Sequence, residues 1–200
     1  NLAIKQLYTI VTQLYKERWY SIVGKKLQVE TYNQTNSGIF LFGIKNTNKM
    51  KVEIWSDVMC PFCYIGKRKF ENALVQFTHK EDIEVEWKSF QLDPSIVTDP
   101  TKTIHEFLAE RKGISSERAK EMNDYVANIA KQVGLNYKFD KAVVANSFDA
   151  HRFSHLAKKH GLQNEAEELL FKAYFTEGKN TADMETLVQL GTSIGLDEAE

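Results

Sequence analysis

Two cysteines lie two residues apart in Cys60-Pro61-Phe62-Cys63, and no other cysteine occurs in the 200 residues. Sulfurs at this spacing fall within one helical turn, close enough to form a disulfide or to open one by attack on a partner. Upstream, Lys51-Val52-Glu53-Ile54-Trp55-Ser56 alternates as a strand does, and from Tyr64 to Leu74 the pattern is that of an amphipathic helix. The dithiol is therefore expected at a strand-to-helix junction, with Cys60 in the first turn. There, unpaired N–H groups and the helix dipole favour thiolate over thiol. Pro61 supports this geometry, because its φ suits the first helical position and it has no N–H to leave unsatisfied. Cys63, one turn deeper, is expected to be the more buried. These expectations make Cys60 the attacking sulfur, with a lowered pKa, and Cys63 the sulfur that releases the mixed disulfide. Asp57 carries a charge that opposes the lowering.

Two simpler readings compete. A C-x-x-C pair can supply half of a zinc site, but such sites usually use four ligands and the chain has no second pair. A surface pair without a role is the other.

Composition narrows the classes. The formal net charge is −1 and the pI about 6.6, which gives no basic footprint for nucleic acid. Hydrophobic residues make up 42% and charged residues 26%, as in soluble globular chains. The longest compact apolar run, Gly38 to Ile44, is too short for a membrane span. A single dithiol suits a catalytic thiol in a reducing cytosol, so a cytoplasmic location is expected.

The chain changes character at Met50. Residues 1–49 hold seven Lys/Arg and two acidic residues, whereas 19 Lys/Arg and 25 Asp/Glu follow. The leading segment is expected to lie outside the domain proper, which begins with the strand at Met50. A second strand starts at Ile83 and is expected to run to about Leu92. This makes a βαβ unit over 50–102, with Pro94 and Pro100 punctuating a loop. From 103 to 195 the pattern is all helical. Thr103 and Glu106 form a capping box, and Ser115 or Ser116 opens a second helix with Ala119, Met122, Val126, Ile129 and Val133 on one stripe. Further helices are expected over roughly 147–160 (with Phe148 among its apolar members), 164–177 and 183–194.

Trp55 to Lys67, together with Asn146-Ser147-Phe148-Asp149-Ala150-His151-Arg152 and Phe171 to Gly178, resembles the DsbA-like thioredoxin-fold oxidoreductases of FrnE type. The resemblance covers Met50 to Glu200. It implies an α/β fold, thioredoxin-like, with an all-helical insertion. The closing strands and helix of that fold, and its cis-proline loop, have no counterpart here, since no proline follows Pro100. The chain thus reads as a fragment of uncertain independent activity. The resemblance also extends to kappa-class glutathione transferases and 2-hydroxychromene-2-carboxylate isomerases. Those relatives typically carry serine at the position of Cys60, so two cysteines favour disulfide chemistry. It further implies thiol or disulfide substrates, protein or small molecule. No bound cofactor is expected, and glutathione is the candidate co-substrate.

Other residues invite weaker readings. Phe62, within the motif, is the best aromatic candidate for a substrate surface, with Trp55 and Tyr64 behind it. Arg152 could meet a glutathione carboxylate, against the alternative of an interdomain salt bridge. His151 and His155 share a helix face at metal-binding spacing, but no third ligand stands out. Lys67, Arg68 and Lys69 read as a solvated basic face.

Overall fold

A computed structural model describes residues 50–200. The leading segment, and with it the expectation that it stands apart from the domain proper, lies outside the described residues. The chain divides into two compact units. Among the described residues, one holds 50–54 and Lys67–Lys88, and the other holds Trp55–Gly66 and Ser89–Glu200.

Strands β1 (Met50–Ser56) and β2 (Ile83–Ser89) are neighbours in a two-stranded sheet. Between them in the chain lie helix α1 (Pro61–Val75) and a 3₁₀ turn over Lys80–Asp82. The first unit buries Val52, Ala73, Phe77 and Trp87. The basic face expected of Lys67 is corrected here. Its side chain is 1% exposed, is paired with Glu71, and lies 6.0 Å from the centre of the Trp87 ring. Its long apolar stem packs while the ammonium keeps a carboxylate partner. On the sheet, Glu86 takes Lys51 and Lys88, the latter at 2.7 Å.

Strand β2 ends at Ser89, three residues short of the expected limit. The Leu92 N–H goes instead to the Asp57 carboxylate at 2.6 Å, so the segment leaves the strand path. The loop expected around Pro100 contains a strand, β3 (Asp99–Thr103), antiparallel to the two-residue β4 (Val143–Val144). The region after Thr103 is therefore not purely helical. Asp99-Pro100-Thr101-Lys102-Thr103 has no apolar alternation, so nothing local marks it as a strand; only its distant partner does.

The helices follow the sequence more closely. They are α2 (Ile104–Lys112), α3 (Ser116–Lys131), α4 (Phe148–Lys159), α5 (Gln163–Lys172) and α6 (Met184–Ser193). Both halves of the Thr103–Glu106 capping box form, and the Ser115 hydroxyl accepts the Arg118 N–H at 3.2 Å. On α3, Ala119 is buried, whereas Met122, Val126 and Ile129 are half-buried. Phe148 does not join the core, because at the first position of α4 it is exposed. The core of the second unit gathers Val58, Phe153, Leu170, Leu187, Leu190 and Leu196 around Ala150, Ala157, Ala166 and Ala173. Small residues at these crossings allow α4, α5 and α6 to approach closely. After α5 the backbone widens into a π turn over Ala173–Glu177 that buries Tyr174 and Phe175 and ends at Gly178 with φ 72°.

Candidate active site

The turn from β1 to α1 builds the site from chain-local bonds. The Cys60 N–H donates to the Asp57 carbonyl at 3.0 Å, and the Cys63 N–H donates to the Cys60 carbonyl at 2.9 Å. Cys60 thus immediately precedes the first residue of α1, and both sulfurs sit at the positive end of its dipole. Both are free thiols.

Their environments reverse two expectations. Cys60 is the more buried, at 7% exposure, and Cys63 is half-buried. The Cys63 thiol is the one pulled below its ordinary pKa, first by a hydrogen bond from Cys60, against the cost of burial and with help from the Asp57 backbone N–H. Cys60 is held well above its ordinary value by that same bond to Cys63 and by burial. The reason is physical: when one S–H donates to the neighbouring sulfur, the acceptor carries the first negative charge and the donor keeps its proton. The dipole acts on both sulfurs, so it does not by itself select Cys60. The Asp57 charge opposes the Cys63 thiolate, as its sign requires.

Asp57 is itself buried. Its carboxylate accepts the Leu92 N–H at 2.6 Å and the Met59 N–H at 3.3 Å, and its Oδ1 lies 3.5 Å from His151 Nε2. Burial pushes the Asp57 carboxyl up, but His151, the Leu92 N–H and Ser147 together hold it below the ordinary carboxylate value. His155 turns elsewhere, to the Ser89 hydroxyl at 2.8 Å, so the two histidines do not converge. Among the described residues, the group of side chains close enough to share an ion is His79, Glu81 and Asp82, which belong to the first unit and not to the one that holds the dithiol.

The other sequence candidates divide. Trp55 is half exposed, at 50%, and Phe62 is half-buried. Tyr64 is removed from any substrate surface. It is buried, stacks on Phe171 with ring centres 4.9 Å apart, and donates to Glu168 at 2.7 Å. Arg152 is solvent-facing and pairs with Asp149 of its own helix at 2.9 Å, which corrects the interdomain bridge.

Sequence reading missed Tyr137, whose hydroxyl donates to the Pro61 carbonyl at 2.5 Å. It gave no role to Asn146, whose amide donates to the Ile96 carbonyl at 2.8 Å and whose Oδ1 accepts from Gln91 at 2.9 Å. A signal existed for Tyr137. Leu135, Tyr137 and Phe139 are buried in alternation with exposed Asn136 and Lys138, a period of two in a segment between helices.

A family model described as DSBA-like thioredoxin domain matches residues 51–200. The chain belongs to that family. It is similar to the uncharacterized protein YwbO of Bacillus subtilis (strain 168), with 30% identity over 159 residues covering 74% of this chain and 68% of the relative. Among solved structures it is similar to one titled a probable DsbA oxidoreductase from Streptomyces coelicolor. There the identity is 36% and the TM-score 0.69, over 74% of this chain and 64% of that one. The chain thus spans somewhat less than two thirds of that solved structure. The fold is α/β and thioredoxin-like, with the helical segment inserted. No described helix is long and apolar enough to cross a membrane.

Proposed function

We propose that Cys60 and Cys63 cycle between dithiol and disulfide against thiol or disulfide substrates, protein or small molecule. The observation that carries this reading is the pair of free thiols at the first turn of α1, one hydrogen-bonded to the other. Membership of the DSBA-like family supports an oxidoreductase type of function in general. In the proposed reaction, the sulfur bearing the thiolate attacks a substrate disulfide and one substrate thiol leaves. The second cysteine then loses its proton, attacks the mixed disulfide, and releases the other substrate thiol, so two electrons pass to the substrate. Trp55 and Phe62 offer apolar contact beside the dithiol, and glutathione is the simplest co-substrate. A cytosolic setting is supported by the cysteine count alone.

The test is trapping by mass spectrometry. Exposed to oxidised glutathione, the wild type should gain an intramolecular disulfide. One of Cys60→Ser and Cys63→Ser should accumulate a stable glutathione adduct, which identifies the attacking sulfur. If the wild type forms no internal disulfide and neither variant is captured, the reading is wrong. Glutathione-dependent isomerisation that survives Cys63→Ala would favour the related isomerase chemistry instead.

A further inference from the structure

We propose that Tyr137 is a positioning residue for the dithiol: by holding the Pro61 carbonyl it fixes the turn between the two sulfurs and biases the pair toward the dithiol form. The inference rests on the dithiol reading above. Tyr137 reaches the motif from 76 residues away, and its hydroxyl donates to the carbonyl of the residue that follows Cys60.

The ring is held firmly. It stacks on Phe175 with centres 4.7 Å apart and on Tyr64 at 6.0 Å, and meets Phe139 edge-on at 5.5 Å. The adjacent Lys138 N–H donates to the Phe175 carbonyl at 2.7 Å. Burial, and then the charges of both cysteines, push the Tyr137 hydroxyl above its ordinary pKa, so it remains a proton donor.

The grip bears on the redox step for a geometric reason. Oxidation breaks two S–H bonds and closes one S–S bond of about 2.05 Å. Two electrons and two protons pass to oxidised glutathione, whose disulfide opens to two molecules of the thiol. The cysteine backbones are already tied by the Cys63 N–H to the Cys60 carbonyl. Closure must therefore draw on side-chain torsions and on the Pro61–Phe62 peptide unit. Pro61 cannot adjust φ, and Tyr137 restrains its carbonyl, so the hydrogen bond restricts the backbone share of that freedom.

The experiment equilibrates the full 200-residue chain in glutathione buffers and measures the disulfide fraction by mass. Tyr137→Phe should raise the equilibrium constant for oxidation at least about threefold, equivalent to about 14 mV for a two-electron couple. It should also lower the melting temperature of the dithiol form more than that of the disulfide form. A purely structural tyrosine would lower both equally and leave the constant unchanged, and that result overturns the inference while sparing the dithiol reading. A wild type that never forms the disulfide overturns both. Should Tyr137→Phe fail to fold, the wild type labelled at tyrosine ¹³Cζ decides: the Tyr137 resonance must shift on oxidation, and an unchanged resonance overturns the inference.

Discussion

At the residue scale, the dithiol behaves as one titrating unit. Each sulfur's pKa shift has the other as its largest cause, so removing either cysteine should move the survivor in a defined direction. In Cys60→Ala, Cys63 loses the hydrogen-bond donor that lowers it, so its pKa should rise. In Cys63→Ser, Cys60 is released from the neighbour that raises it, so its pKa should fall. Thiolate absorbance near 240 nm, followed against pH in each variant, checks both; shifts in the opposite directions would show that the sulfurs do not share a proton. Asp57 makes a separate prediction about stability. Its folded pKa lies below the unfolded value of about 3.9, so its contribution is fully present above that value and disappears as pH falls through the folded pKa. Asp57→Asn should flatten this acid limb of the unfolding free energy, measured in urea between about pH 5 and pH 2. An acid limb as steep as that of wild type would place the pH dependence elsewhere.

At the element scale, three helix starts are set by local chemistry and one helix end by tertiary packing. Thr103, Ser115 and Asp183 each accept a backbone N–H from three residues on; the sequence reading named the first, offered Ser115 beside Ser116, and did not single out Asp183. Gly178 is different. Beyond its positive φ, a Cβ there would stand 2.5 Å from Lys141 Cβ and 2.6 Å from the Lys141 carbonyl oxygen. Gly161, with φ 73°, has open space around the same position. Gly161→Ala should cost roughly 1–2 kcal/mol for the left-handed backbone alone. Gly178→Ala should cost roughly 1–3 kcal/mol more, because the backbone of the 138–141 segment must move. Urea denaturation of the two variants side by side gives the difference, and equal losses would mean that the approach to Lys141 is easily relieved.

At the scale of the whole molecule, the dithiol is supported by residues distant in sequence. Tyr137 holds the Pro61 carbonyl, Glu168 takes the Tyr64 hydroxyl, Leu92 binds the Asp57 carboxylate, and His151 lies against that carboxylate. A stack of aromatic rings, Tyr64, Phe171, Phe175 and Tyr137, lies behind the motif with neighbouring centres 4.7 to 6.5 Å apart. The helical segment therefore does more than lengthen the chain, since it supplies the partners of the Pro61 carbonyl and the Tyr64 hydroxyl.

The sequence by itself determined the strand-to-helix placement of Cys60 and Cys63, the helices with the Thr103 cap, and the kinship that covers the domain. These follow from spacing, periodicity and capping chemistry, which act within a few residues along the chain. Only the tertiary structure decided which sulfur is the more buried, that Tyr64 and Lys67 lie inside, and that β3 pairs with β4. Tyr64 meets Glu168, Lys67 meets Trp87 and β3 meets β4 across 20 to more than 100 residues, and no local pattern encodes where such partners come to rest.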